Sequence, residues 1–296
     1  MASITARSTS GGARLAYRAW GAPGAPPLVL LHALGEIVAD WADVAPGFAR
    51  HWRVDAPDLR GHGRSDWPGD YSLDAMRADV LGFMDALGLS RADLIGYSMG
   101  GLVACLVAED QPDRVARLIL EDIAALLSRK RELPARPDGP LPYDGEMVLA
   151  VRRQIDNPDP AWFERLSQIS AQTLVIGGCP ASPIPQDRVA ELARRIPGAR
   201  HETIPAGHLI HATEPDAFTK LAVMFLRPGP GADQTTAGLP SHEWPFVLDV
   251  PARPRERQGY VDLYLPDQAG PAPAVVFVHG PRAGGRDRIP HHCLRP

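Results

Sequence analysis

Ser98 stands at the centre of the pentapeptide Gly96-Tyr97-Ser98-Met99-Gly100, which fits the pattern G-x-S-x-G. A buried apolar run ends at Tyr97 and a helical pattern begins at Met99, so Ser98 lies on a sharp strand-to-helix turn. The two glycines relieve the crowding of that turn, and the helix N-terminus places free N–H groups beside a developing negative charge. The alternative is a chance pentapeptide in a glycine-rich chain. The combination of strand, turn and helix predicts that Ser98 is a nucleophile.

A serine hydroxyl needs a base to take its proton, and the ten histidines of the chain compete for that role. His208 follows the last predicted core strand in a short Ala-Gly loop, which lets its ring reach over the carboxyl edge of a sheet. His211, three residues later in a helical pattern, is its close rival. His62 lies in a glycine-rich turn that favours a structural role, and His32 ends a strand, where it orders a loop. We expect His208 to be the general base.

The elements that must position these side chains alternate between strands and helices along the chain. Strands are expected at Ile4–Arg7, Ala13–Trp20, Leu28–His32, Arg53–Ala56, Leu94–Tyr97, Val115–Glu121, Thr173–Ile176 and His201–Ile204. Helices are expected from Trp41 with Asp40 as cap, and at Ser72–Leu87, Met99–Asp110, Gln186–Arg195 and Asp216–Leu226. This alternation predicts an α/β fold with a mostly parallel sheet and helices on both faces.

The alternation breaks at about residues 124–170, where prolines crowd one loop. Two short helices are expected there, at Gly145–Ile155 and Ala161–Ile169. We interpret this insertion as a short helical cap on the sheet. Its large apolar side chains either line a substrate pocket or pack the cap onto the core, and they are Tyr143, Met147, Trp162 and Phe163.

Over about residues 1–226 the chain resembles the α/β-hydrolase family. The resemblance rests on the turn at Ser98, on the segment Asp58–Ser65 (DLRGHGRS), and on Ala-Gly-His208 before a helix that contains Glu-Pro and Phe218. The segment Asp58–Ser65 looks like the D-x-R-G-x-G-x-S loop of the family. The resemblance implies the α/β-hydrolase fold in a domain of residues 1–226, with a serine nucleophile, a histidine base and an acid.

The oxyanion of the intermediate needs two N–H donors, and one comes from the residue after the nucleophile, here Met99. The resemblance implies that the second donor is the N–H of Leu34, in the loop after the Leu28–His32 strand. Many relatives have His-Gly in that loop, whereas this chain has Ala33 in place of the glycine. This departure could narrow the allowed backbone and shift the oxyanion hole.

The third member of a serine triad is an acid that orients the imidazole. In most of the family it follows the strand that corresponds to Thr173–Ile176, but here that loop has no carboxylate and Ala181 occupies the expected position. Some members carry the acid after the preceding strand, which here ends in Glu121 and Asp122. Successive strand residues face opposite sides, so at most one of the two can face His208. We expect Asp122, and the alternative is an acidic pair on the surface.

Composition excludes several other classes of protein. The 296 residues carry a net charge of −4 and lack the basic stretch of a nucleic-acid-binding protein. The chain has neither a signal-peptide pattern at its start nor an apolar run that would span a membrane. Its three cysteines argue against a disulfide framework and favour a reducing compartment, the cytoplasm. It contains no motif for a cofactor or a metal, and its oligomeric state stays open.

The leading functional hypothesis is therefore hydrolysis of a carboxylic ester, a lactone or a thioester by attack of Ser98 on a small acyl substrate. Acyl transfer or perhydrolysis on the same residues is the second possibility. A third is a non-enzymatic ligand receptor that kept the hydrolase fold, with or without its triad. An aspartate-nucleophile mechanism, as in dehalogenases and epoxide hydrolases, is disfavoured because the nucleophile position holds a serine.

The region of about residues 227–296 begins with a linker rich in proline and glycine. Gly259–Leu265 has the alternation of a strand, and Ala274–His279 followed by Gly280 resembles the opening of another α/β hydrolase. One or two strands cannot complete a core. We expect this region to be a truncated or fused fragment that contributes nothing to catalysis, and the alternative is a strand pair that extends the main sheet.

Deletion of the residues after Arg227 tests these two alternatives. We expect a soluble product whose esterase activity equals that of the full chain, because no predicted site residue lies beyond His208. Far-ultraviolet circular dichroism and initial rates on a short ester check both points. Loss of folding or of activity would show that the region belongs to the main sheet.

Overall fold

The computed structural model describes residues 4–7, 12–130 and 139–227 of the chain. The proposed linker and hydrolase-like fragment, from residue 228 onward, lie outside the described residues. The domain boundary near residue 226 therefore stays a proposal.

The described residues form eight strands and eight α-helices. The strands are β1 (Ile4–Arg7), β2 (Arg14–Trp20), β3 (Pro27–Leu31), β4 (Arg53–Pro57), β5 (Ala92–Tyr97), β6 (Val115–Glu121), β7 (Gln172–Gly177) and β8 (Arg200–Thr203). The helices are α1 (Ala45–Phe48), α2 (Leu73–Ala86), α3 (Met99–Asp110), α4 (Gly145–Asp156), α5 (Trp162–Arg165), α6 (Gln186–Arg195), α7 (Ile210–Thr213) and α8 (Pro215–Leu226). Short 3₁₀ turns lie at Val38–Asp43, Pro112–Arg114 and Leu166–Gln168.

All eight strands join one sheet in the order β1-β2-β4-β3-β5-β6-β7-β8. The pairs β1–β2 and β2–β4 are antiparallel, and the other neighbours are parallel. Because parallel strands end at the same edge, the loops that follow β3, β5, β6, β7 and β8 meet there. The predicted α/β fold with a mostly parallel sheet is confirmed.

The sheet is buried on both faces, which explains the continuous apolar runs of its central strands. In β3 the side chains of Val29 and Leu31 pack in one core, and those of Leu28 and Leu30 pack in the other. The first core also contains residues of α2, α3 and α6, and the second contains residues of α1 and α8. Helices therefore cover both faces, as predicted.

The insertion between β6 and β7 carries α4 and α5, and its residues 131–138 lie outside the described part of the chain. Tyr143, Met147 and Trp162 are buried in the core beneath the insertion. Phe163 is half-buried, with the guanidinium carbon of Arg195 4.1 Å from its ring centroid. These contacts favour the packing role for the apolar cap residues over the pocket role.

Polar contacts attach α4 to the start of α2. The Tyr71 hydroxyl donates to Oδ2 of Asp144 at 2.6 Å. The side-chain amide of Gln154 accepts from the N–H of Leu73 at 2.9 Å and donates to the carbonyl of Tyr71 at 3.1 Å. The described part of the cap is therefore fixed to the helix layer by directional bonds as well as by apolar packing.

The predicted helix from Trp41 with Asp40 as its cap is wrong. Asp40 lies inside the 3₁₀ turn Val38–Asp43, and its Oδ2 accepts from the N–H of Ile37 at 2.8 Å. This bond caps the N-terminus of the 3₁₀ segment, because Ile37 directly precedes its first residue, Val38. The α-helix starts only at Ala45.

The start of α3 approaches the end of β3 so closely that only glycine fits at position 100. A Cβ atom on Gly100 would lie 2.2 Å from the carbonyl oxygen of Leu31 and 2.6 Å from that of His32. Both of these are backbone atoms, which cannot rotate away. This contact sets the position of the helix that begins directly after Ser98.

The substitution Gly100→Ala is expected to lower the free energy of unfolding by about 1–3 kcal/mol or more, as overpacking does in well-packed interiors. Gly47→Ala is the matched control, because the nearest atom to its Cβ is the Thr219 methyl group at 2.7 Å, which belongs to a side chain. Urea unfolding of both variants gives the comparison. Equal stability of the two variants would contradict the prediction.

Candidate active site

Ser98 lies between β5 and α3 with φ +50° and ψ −115°, a conformation that side chains rarely adopt. Its N–H donates to the carbonyl of Glu121 at 3.0 Å, and its carbonyl accepts from the N–H groups of Gly101 and Leu102. The bonds to strand and helix hold the strained backbone in place, and strain of this kind is concentrated at functional sites.

The structure brings together the three side chains predicted as nucleophile, base and acid. Nε2 of His208 lies 3.2 Å from Oγ of Ser98, and Nδ1 lies 2.7 Å from Oδ2 of Asp122. The Tyr97 ring packs against the His208 ring with centroids 4.9 Å apart. When Nδ1–H donates to the carboxylate, Nε2 is free to accept the serine proton. This arrangement can therefore activate Ser98 as a nucleophile.

Asp122 follows β6 in a left-handed conformation, with φ +46°, and its side chain is fully buried. Its carboxylate accepts four hydrogen bonds: from Gly178 N (3.0 Å), Gln186 Nε2 (3.1 Å), Ser182 Oγ (2.5 Å) and His208 Nδ1 (2.7 Å). A buried carboxylate needs such donors to remain charged. The alternative of an acidic pair on the surface is wrong, because both Asp122 and Glu121 are fully buried.

The loop after β7, which lacks an acid, supplies donors to the acid instead. Ala181 is exposed there, and the next residue, Ser182, donates to Asp122 while its Oγ accepts from the N–H of Ile184 at 3.0 Å. Sequence reasoning missed Ser182. A signal was present, because a polar residue stands directly beside the position from which the usual acid is absent.

The predicted oxyanion donors are the backbone N–H groups of Leu34 and Met99. Within the described residues, neither N–H donates to another group of the protein. Ala33 replaces the glycine of many relatives, and its φ is not positive. Alanine therefore introduces no backbone strain in this loop, and both N–H groups remain available to a ligand oxygen.

Two buried histidines hold the loop that follows β3. Nε2 of His62 accepts from the N–H of Gly35 at 3.1 Å, and its Nδ1 lies 3.0 Å from the carbonyl of Arg60. His32 likewise accepts from the N–H of Leu59 at 2.9 Å. Burial lowers the pKa of His32 and lowers that of His62 well below its usual range. Both rings therefore stay neutral, as an acceptor nitrogen requires.

Two clefts beside α5, of about 220 and 310 Å³, are both lined in part by Trp162. Neither is lined by Ser98 or His208. The alternative in which the apolar cap residues line a substrate pocket thus gains no support from these clefts.

Comparisons with known proteins identify the fold family. A family model described as the alpha/beta hydrolase fold matches residues 26–141. The enol-lactonase from Burkholderia xenovorans LB400 is 30% identical, over 75% of this chain and 99% of its own, with a TM-score of 0.65. The chain belongs to the α/β-hydrolase fold family.

Two further relatives show how far the likeness extends. A hydrolase from Pseudomonas aeruginosa PA01 is 29% identical over 76% of this chain and 98% of its own, with a TM-score of 0.67. Epoxide hydrolase 4 of Mus musculus is 38% identical over 117 residues, which are 38% of this chain and 33% of that protein. The chain spans about a third of the length of the first curated relatives it matches.

No helix in residues 12–130 or 139–227 is long and apolar enough to cross a bilayer. In the same part of the chain, no group of three or more His, Cys, Asp or Glu side chains is arranged to hold a metal ion.

The substitution Asp122→Asn is expected to lower kcat by about 10⁴-fold, the order of loss found when a serine triad loses its carboxylate. The donors from Gly178 and Gln186 keep the amide oxygen at the Oδ1 position, so the amide NH₂ faces Nδ1 of His208. That contact favours the tautomer with the proton on Nε2, which cannot accept a proton from Ser98. Steady-state rates on a short ester measure the effect.

Asp187→Asn is the matched control, because Asp187 is an exposed acid in the first turn of α6. We expect its kcat to equal that of the wild type. A folded Asp122→Asn variant with a similar kcat would refute the role of Asp122.

Proposed function

We propose that the protein is a serine hydrolase that cleaves a carboxylic ester, a lactone or a thioester through an acyl-enzyme on Ser98. One observation supports this more than any other. A continuous hydrogen-bonded chain joins Oγ of Ser98 to Nε2 of His208 at 3.2 Å and Nδ1 of His208 to Asp122 at 2.7 Å. It lies at the carboxyl edge of the sheet, where open α/β sheets bind ligands.

In the first half of the proposed reaction, Oγ of Ser98 attacks the carbonyl carbon of the substrate while Nε2 of His208 takes the hydroxyl proton. The N–H groups of Met99 and Leu34 donate to the oxyanion that develops on the carbonyl oxygen. His208 then gives its proton to the departing oxygen or sulfur, and the acyl group stays on Ser98. Asp122 stabilises the imidazolium between these two transfers.

In the second half of the proposed reaction, water hydrolyses the acyl-enzyme with the help of the same catalytic groups. His208 removes a proton from a water molecule, which attacks the acyl carbon of the ester on Ser98. The second oxyanion uses the same two N–H donors. The carboxylic acid leaves, and the proton on His208 returns to Oγ of Ser98. For a lactone, acid and alcohol remain parts of one product.

Ester-type substrates are favoured over epoxides by the residue at the nucleophile position. Epoxide opening in this fold uses a carboxylate nucleophile, and this chain has Ser98 there. The relative named for epoxides matches only 38% of the chain, whereas the enol-lactonase matches 75%. The likeness to the enol-lactonase supports the inclusion of lactones, which are cyclic esters, in the proposal.

The substitutions Ser98→Ala and His208→Ala are each expected to lower kcat by more than about a thousandfold, since triad members act as a unit. Neither change should unfold the protein. His201→Ala is the matched control, because His201 is an exposed histidine of β8 that lies outside the proposed site. The measurement is a rate screen over p-nitrophenyl esters of increasing acyl length, with lactones and thioesters beside them.

Turnover by Ser98→Ala above a few per cent of the wild-type rate, after subtraction of the contaminating background, would refute the acyl-enzyme mechanism. A folded wild-type protein that binds acyl ligands without turning over any of these substrates would favour the receptor alternative instead.

A further inference from the structure

A second pair of an acid and a histidine lies next to the proposed triad. Nδ1 of His211 is 2.9 Å from both carboxylate oxygens of Glu121, and the backbone N–H of His211 donates to Oε1, also at 2.9 Å. Glu121 is fully buried, and His211 is 1% exposed. Neither side chain takes part in the mechanism derived above.

Glu121 connects the nucleophile to the loop that carries the base. It is the last residue of β6, and its backbone carbonyl accepts the N–H of Ser98 at 3.0 Å. Its side chain binds His211, which lies in α7 three residues after His208. One residue of a central strand therefore bonds directly to both segments whose separation determines the distance from Oγ to Nε2.

Aromatic packing reinforces this connection. The Trp41 ring stacks on His211 with centroids 4.3 Å apart and planes inclined by 25°. The Tyr97 ring contacts both histidines, with centroids 5.1 Å from His211 and 4.9 Å from His208. Movement of the His211 ring would therefore disturb the residue against which the base itself packs.

The geometry argues against a direct chemical role for His211. Its Nδ1 is bound by Glu121, and its Nε2 is buried and has no hydrogen-bond partner within the described residues. A ring enclosed in this way cannot take the proton of Ser98 or contact a substrate. Any effect on the reaction must act through the position of His208.

We propose that Glu121 and His211 are positioning residues that fix the His208 loop relative to Ser98 and so determine kcat. This inference rests on the proposed serine hydrolase function. The loop has a left-handed glycine, Gly207 with φ +73°, directly before the base, so the base needs an anchor on its other side. The buried pair supplies it, because the hydrogen bonds from His211 to Glu121 are directional and are strengthened by the low-dielectric interior, whereas apolar contacts fix no direction.

The test compares two substitutions of His211 with opposite effects on the bond to Glu121. His211→Leu removes the side-chain donor to Glu121. In His211→Asn, the N–H of the new side-chain amide can replace Nδ1–H as that donor. We expect His211→Leu to lower kcat by about tenfold or more, since small misplacements of catalytic groups have effects of this order. The KM should change by less than about twofold, because the substitution removes no group that binds the substrate equally in the ground state and the transition state. His211→Asn should recover most of kcat.

Rates are expressed per active site, counted as the amount of Ser98 that a p-nitrophenyl phosphonate labels at completion. This count removes any loss of folded protein, so a pair that only stabilises the fold leaves kcat per site unchanged. Glu121→Gln is the second variant if His211→Leu does not fold. It keeps the shape and one acceptor for the His211 N–H, and we expect its kcat to fall with an unchanged KM.

A lower kcat per site in His211→Leu, restored in His211→Asn, supports the inference. Wild-type kcat per site in a folded His211→Leu, or in Glu121→Gln where the first does not fold, overturns it while the proposed function stands. A lower kcat that His211→Asn does not restore overturns the role of the bond to Glu121. Absence of turnover and of Ser98 labelling in the wild type overturns the proposed function, and the inference with it.

Discussion

The carboxylate of Asp122 is fully buried, and a charge withdrawn from water must be surrounded by hydrogen-bond donors. Its donors come from the two loops that follow β7 and β8. Gly178 and Ser182 belong to the first loop and His208 to the second, and Gln186 starts the helix after the first. The hydrogen bonds to this one carboxylate therefore connect the loops that follow the adjacent strands β6, β7 and β8. The distance from His208 to Ser98 is a consequence of that arrangement.

The residue before Asp122, Glu121, is a second fully buried carboxylate and meets the same requirement. Alternation along β6 places Leu120 in the core beneath α2, α3 and α6, and Ile119 in the core beneath α1 and α8. Glu121 lies two residues after Ile119, and its partner His211 packs on Trp41, a residue of that second core. Two neighbouring buried carboxylates therefore each hold one histidine of the same segment.

Local signals made part of this site predictable from sequence. The turn at Ser98 and the Ala-Gly-His208 segment are encoded by neighbouring residues, and the bounds of the parallel strands followed from apolar runs. The acid required an argument by elimination from the resemblance, because its pairing with His208 spans 86 positions. The Gln186 donor and the Glu121 pair could not be assigned, since nothing local shows which side chains a buried carboxylate will meet. The roles of the site residues stay predictions.

The partner of each imidazole distinguishes the histidines of this region. His32 and His62 each have Nδ1 against a neutral carbonyl, and burial lowers the pKa of both, so each is suited to accept a backbone N–H and to hold a loop. His208 and His211 have Nδ1 against a carboxylate, which accepts the Nδ1–H. Of these two, only His208 is partly exposed and within reach of Ser98. The proposed base must contact both its acid and the nucleophile, and in this group His208 alone does so.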